Sequence, residues 1–293
     1  MAISDNINGL LQKKVNRLNN IKVSNPNLLI NGNFQVNQSG KTSWSKNGLI
    51  YTFDGWVLHK GVASVTSEGQ LQLNSNIDYP DGESNNEVYQ FIDRDLQEGI
   101  YTLSYRINGI NQIFQVNISK NMELQRVHHN TYQIFMFYDQ NRNCYVLCIR
   151  VKYNQVIKID WVKLEQGSVA TPFIPKSYAE ELRDCQWYYS IGEFTGVSMF
   201  FDDEGNTNNG YMFAFSVPQM RINTPTPTFI RGKYYVGGKL KTINNPTSWW
   251  YMDETQDHTN SASVCLYVYL KEGTKDTVCA GASIVAELDA RIY

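Results

Sequence analysis

The stretch from Trp161 to Tyr189, WVKLEQGSVATPFIPKSYAEELRDCQWYY, constrains this chain more than any other. Ile157 to Leu164 carry the β-branched and aromatic pattern of a strand. Pro172 and Pro175 then fix φ and remove donors, so the chain leaves its sheet by Pro172 and starts no helix before Pro175. Ser177, with Glu180 three residues on, fits a helix start capped in both directions. Strand, extended proline piece and short polar helix together read as a joint between two β domains. The joint falls where a chain of 293 residues would divide into two cores of ordinary size. Three parts follow: a helical arm over 1–24, a β domain over 25–175, and a second β domain with its linking helix over 176–293.

Charge narrows the partners. The formal net charge is −2, and no basic cluster marks a nucleic-acid or anionic-membrane surface. No apolar run of about 18 residues occurs, so no membrane insertion is expected. The opening MAISDNINGL lacks a basic segment followed by an apolar core, and no secretion signal is expected. Five cysteines without metal-ligand spacing do not form a disulfide framework. Cys144 and Cys148 fall on one face of a strand but roughly 13 Å apart, too far to bridge. All five are read as reduced packing residues of a protein made in a reducing cytosol.

The arm holds the one long helical pattern: Ile7, Leu11, Leu18 and Ile21 approximate heptad a and d positions, with Lys14 at the missing one. So short a helix is marginal alone. It is either a frayed arm or one helix packed on the first domain, or else a short oligomeric stalk or an arm that plugs into a larger assembly. From Asn27 strands take over, at Tyr101–Tyr105, Thr131–Phe137, Cys144–Val151 and Val156–Leu164. Turn signals separate them at Pro80–Gly82, Glu98–Gly99, Asn108–Gly109 and Asp139–Asn143. Further strands are read at Tyr211–Val217, Thr228–Ile230, Ala262–Leu270 and Val278–Leu288. Many short strands without intervening helices imply an all-β chain of two sandwiches. Trp56 and Trp161, inside strands, are read as core; Trp44, in a polar Ser-Lys-Asn loop, is intermediate.

Several blocks carry a family resemblance. Lys163-Leu164-Glu165, Gly167, Ala170 to Phe173, Ser177 to Leu182 and Cys185 to Tyr189 resemble the "KLE-G-ATPF … SYAEEL … CQRYY" joint of phage tail-fibre and receptor-binding proteins, with Trp187 where arginine is usual. Phe215 to Thr226 resembles their "F-P-V-P-M-R-x-x-P-T" element, and Ala286 to Ala290 their "D-A-E-L" end. The opening Asn27 to Phe34, with Asp54-Gly55-Trp56, resembles the entry of jelly-roll carbohydrate-binding modules. The resemblance implies a jelly-roll followed by a second sandwich, the knob. It also implies a virion protein assembled in the host cytoplasm, a homotrimer, an arm that joins other virion proteins, and host cell-surface carbohydrate as partner. Those modules often hold calcium through acids in a Gly-Asp-Phe-Glu pattern. Here Gly32-Asn33-Phe34-Gln35 replaces both acids, leaving Asp160 unsupported, so no metal or other cofactor is expected.

Motifs for catalysis are missing: no Walker loop, G-x-S-x-G, H-E-x-x-H or C-x-x-C occurs. No catalytic residue is assigned, and the chain is read as non-enzymatic. His128 and His129 would point to opposite faces of an extended chain and are read as a solvated loop pair. The acidic run at 202–204 is read as part of a polar hairpin connection. Aromatic residues give the better lead, because sugar rings stack on tryptophan and tyrosine. Trp249, Trp250 and Tyr251, followed by Asp253 and Glu254, are the candidate glycan-binding residues, with packing on the sandwich or a neighbouring subunit as the alternative. Two other functions stay open: a tail depolymerase of the same polymer, and a capsid or tail decoration without a receptor.

Overall fold

The structure, a computed structural model, describes residues 24–75, 86–201, 210–216, 220–221, 226–236, 239–242, 247–251, 265–270 and 279–291. The chain is mostly β, so the all-β expectation holds; the predicted N-terminal helix lies outside the described residues. It divides into two compact units. The first takes Met1–Gln35, Thr42–Ile50 and Trp56–Ser177, and the second takes Val36–Lys41, Tyr51–Gly55 and Tyr178–Tyr293.

In the first unit the strands are β1 (Ser43–Tyr51, whose last residue falls in the second unit), β2 (Val57–Val65), β3 (Leu71–Asn74), β4 (Asn86–Ile92) and β5 (Gly99–Ile107). They continue with β6 (Ile110–Ile118), β7 (Gln125–His128), β8 (Tyr132–Asp139), β9 (Cys144–Val151) and β10 (Val156–Gln166). Nine run in the order β6-β5-β10-β3-β2-β4-β9-β8-β7, with β1 on β2. This one sheet folds over at β2. Val57 to His59 pair with β4, whereas Val62 to Val65 pair with β3. Between them Lys60 and Gly61 both have positive φ, 58° and 119°, which few residues other than glycine accept. Asn86 plugs the crease, its amide donating to the carbonyls of Val62 (2.6 Å) and Asn74 (2.9 Å). The halves then face each other as a sandwich: Tyr105 on β5 packs edge-on to Tyr132 of β8, centroids 6.4 Å apart.

Side-chain amides do peptide work inside this unit. Gln90 accepts from Ile30 N (2.9 Å) and donates to Ile30 O (2.7 Å). Gln125 on β7 does the same for Asn117 on β6, at 2.8 and 2.7 Å, and so links the two outermost strands of the sheet. The Asn27–Phe34 entry is structural in the same sense. Asn27 Oδ1 accepts from Leu29 and Leu164, and Val162 N donates to Gly32 O at 2.7 Å. A Cβ on Gly32 would collide with the Val162 carbonyl and the Asn27 amide.

The joint shows why its residue types are needed. A bulge between Ile159 and Trp161 shifts the alternation of β10, so that Ile157, Ile159, Val162 and Leu164 are all fully buried. Trp161, Lys163 and Glu165 therefore share the opposite face, and Ala170 to Phe173 folds back over them. Lys163 and Glu165 are 1% and 0% exposed and 3.1 Å apart. Lys163 Nζ donates to Thr171 Oγ1 (2.6 Å) and Ser24 Oγ (2.9 Å), while Glu165 accepts from Thr171 N (2.8 Å) and Thr171 Oγ1 (2.5 Å). Phe173 stacks on Trp161, centroids 4.8 Å apart and planes within 3°. The structure corrects two expectations here. Trp161 is half-buried under Phe173 rather than core, and Trp44 belongs to β1 and is 4% exposed rather than sitting in a loop. Trp56 is fully buried, in the turn just before β2, with its indole N–H on Asn31 O (3.0 Å).

The second unit opens with helix α1 (Tyr178–Gln186), which starts directly after Ser177. Its strands are β11 (Tyr189–Phe201), β12 (Gly210–Ser216), β13 (Thr226–Val236), β14 (Lys239–Thr242), β15 (Thr247–Tyr251), β16 (Cys265–Leu270) and β17 (Cys279–Asp289). They form an antiparallel sheet in the order β14-β13-β17-β11-β12-β16-β15. Its first strand, β11, escaped the sequence reading because Gly192 and Gly196 interrupt the apolar pattern. Two segments of early sequence serve this unit through Gln38, which donates to Tyr189 O (2.8 Å) and to Asp54 Oδ1 (2.6 Å). Arg291 lies between the rings of Tyr51 and Tyr189, 4.2 and 4.3 Å from their centroids, and pairs with Asp289 at 2.5 Å.

Candidate functional site

Register assembles an aromatic and cationic face that no stretch of sequence displays. On β2, β4, β9, β8 and β7 the core takes one set of alternating residues, including Leu58, Val88, Ile149, Leu147, Ile134 and Met136, each no more than 1% exposed. The opposite face carries rows running across the strands. Ladder partners place His59 beside Glu87, Glu87 beside Arg150, Arg150 beside Gln133 and Gln133 beside His128. The next row runs Tyr89, Cys148, Phe135, Arg126, and a third sets Phe91 and Phe137 on either side of Val146. Cys148 and Val146 are buried between their ring-bearing neighbours, whereas Tyr89, Phe91 and Phe137 are half-buried and Arg126 and His128 exposed.

His59, Glu87, Tyr89 and Arg150 order one another on this face. Glu87 is ion-paired to Arg150, accepts the Tyr89 hydroxyl, and lies 3.4 Å from His59 Nδ1. Burial pushes the Glu87 carboxyl up, but the His59 and Tyr89 hydrogen bonds and the Arg150 charge outweigh it, and the net shift is downward. Burial pushes the Tyr89 phenol and the Cys148 thiol up, with the Glu87 charge adding to both. Tyr89 therefore stays protonated and donates, and Cys148 is an unreactive thiol. His59 stacks on Tyr89, centroids 5.6 Å apart. Two guanidiniums cover one ring, Arg150 at 5.0 Å and Arg126 at 5.5 Å from the Phe135 centroid. Arg142 lies 5.3 Å from the Phe91 centroid and pairs with Asp139 at 2.8 Å. Rings and fixed N–H donors on a rigid sheet suit an amphipathic, ring-shaped ligand.

Elsewhere in the same unit a depression of about 500 Å³ is lined by Asn25, Leu28, Asp95, Leu96, Gln97 and Tyr101 among others. Its one aromatic ring, Tyr101, is 2% exposed, so it offers no ring for a sugar to stack on.

The predicted site residues fare differently. Trp249, Trp250 and Tyr251 lie on β15, the terminal strand of the second sheet, opposite Tyr267, Leu266 and Cys265; Asp253 and Glu254 lie outside the described residues. The histidine pair is corrected in part. His128 is exposed, but His129 stacks on Tyr132 at 4.4 Å and lies 2.7 Å from the Tyr105 hydroxyl. Burial lowers the His129 pKa, which favours the neutral ring, hydrogen-bonded to the Tyr105 hydroxyl through Nε2. Asp160 accepts from Gln70 (2.7 Å) and lies 3.8 Å from Arg106. Cys144, Cys148 and Cys185 are buried and form no disulfide. Sequence reasoning missed the β4–β9–β8 face, although one local signal was there: past Gln133, Phe135 and Phe137 alternate with Ile134 and Met136, so this half of the strand is apolar on both sides, unlike the one-sided pattern of an antiparallel sandwich.

No protein-family model, curated protein or solved structure matches this chain.

Proposed function

We propose that the chain is a bacteriophage virion protein, a tail fibre or receptor-binding appendage, that attaches to a host-surface glycan through the face of β2, β4, β9, β8 and β7. One observation carries the placement: half-buried Tyr89, Phe91 and Phe137 alternate across that face with the guanidinium groups of Arg142 and Arg150, each held by its own carboxylate. The virion context rests on the resemblance of the joint, and on the purpose its residues serve there, fastening an extended linker to the last strand of a domain. In this reading the protein is a homotrimer whose N-terminal arm docks on other virion proteins, and trimerisation multiplies a weak site through effective concentration.

Purified protein should compete with particles for adsorption to host cells, and antibody labelling should mark the particle at its tail. Phe91→Ala with Phe137→Ala should abolish the competition while the chain still folds, and Trp249→Ala should leave it intact. Loss with Trp249→Ala alone moves the site to the second unit. Shortening of host polysaccharide by the purified protein makes it a depolymerase, and capsid labelling without competition makes it a decoration.

A further inference from the structure

We propose that the ligand of this face is a saccharide bearing negative charge and that Arg126 pairs with that charge, an inference that rests on the glycan reading above. Among the described residues, three guanidiniums (Arg126, Arg142, Arg150) and two carboxylates (Glu87, Asp139) share the face. Arg150 is held by Glu87 and Arg142 by Asp139. Arg126 is exposed on β7, and among the described residues no carboxylate lies within ion-pairing distance of it. Among these described groups the surplus is positive, on a chain whose formal charge is −2. Arg126 is also positioned. Its guanidinium lies 5.5 Å from the Phe135 centroid and its ladder partner is Phe135 itself. A guanidinium over a ring keeps its N–H edges free, in the fork that matches a carboxylate or phosphate with two parallel hydrogen bonds. A neutral sugar would leave this cation without use, whereas an acidic one would set its ring near Phe137 and its charge at Arg126.

The test is retention of the full-length protein on immobilised polygalacturonate, on the same polymer fully methyl-esterified, and on poly(glycerol phosphate). Retention on a charged polymer at least about ten-fold above the ester is expected, falling with added salt, and the two charged polymers separate carboxylate from phosphate recognition. Arg126→Gln should remove that preference without shifting the melting temperature, and Arg126→Lys should keep part of it. Equal retention of charged and esterified forms overturns the inference and leaves the glycan reading standing. A preference that survives Arg126→Gln overturns the role of Arg126. Retention on none of the three, with no competition for host adsorption either, overturns both.

Discussion

The Lys163–Glu165 and Arg150–Glu87 pairs join the same kinds of group on strands of one unit, yet their surroundings differ. Lys163 and Glu165 are 1% and 0% exposed, and hydroxyl, amide and carbonyl groups of Ser24 and Thr171 complete their hydrogen bonds. Arg150 and Glu87 are 30% and 8% exposed, among aromatic rings. A buried pair contributes little over an apolar pair of the same shape, but it tolerates only the geometry that satisfies it. The first pair thus dictates one path for the linker. The second fixes donors at a surface where they can still meet a ligand. Ionic chemistry serves architecture in one place and recognition in the other, and burial decides which.

Several substitutions would break or sharpen that contrast. Lys163→Met alone strands Glu165 without its partner and should cost about 3–5 kcal/mol in urea unfolding, while Lys163→Met with Glu165→Leu should recover most of the loss. A smaller effect is expected at Gln90, whose removal as Gln90→Leu leaves the Ile30 N–H and C=O buried and unsatisfied, at about 1–3 kcal/mol by the same measurement. Arg150→Met should cost less than the Lys163 change, about 1–2 kcal/mol, because water reaches the Glu87 cluster.

That cluster also predicts an acid response. The folded Glu87 pKa lies below its ordinary value of 4.5, so its contribution is present above that value and is lost as pH falls through the lower folded value. Stability measured below about pH 4.5 should therefore fall less steeply in Glu87→Gln than in the parent. The smallest change is expected for Arg126→Gln, within about 0.5 kcal/mol of the parent, as for other exposed positions. A loss above about 2 kcal/mol there would make Arg126 a structural residue and remove it from the recognition side of the comparison.

Much of the fold was legible because its signals are local. Asn108 and Gly109 join β5 to β6 with φ of 52° and 75°, the two-residue hairpin turn their identities announce. The two prolines and Ser177 mark where β10 has ended and α1 begins. The candidate face was not legible, because His59, Glu87, Arg150, Gln133 and His128 come from five strands and meet only through register. Trp249 and Trp250 are adjacent in sequence, whereas the half-buried rings of the first unit are separated by buried residues and by whole strands.

The sequence by itself determined that the chain is all-β, that Asn108 and Gly109 turn between two strands, and that a linker follows β10, since φ preferences, proline and alternation act within a few residues. Only the tertiary structure decided that Gln90 and Gln125 would stand in for peptide groups, that Lys163 and Glu165 would bury together under Thr171, and that arginines would gather over Phe135. Each depends on which strands become neighbours and in what register, and the side-chain amides and charges involved look, in sequence, like any others at a surface.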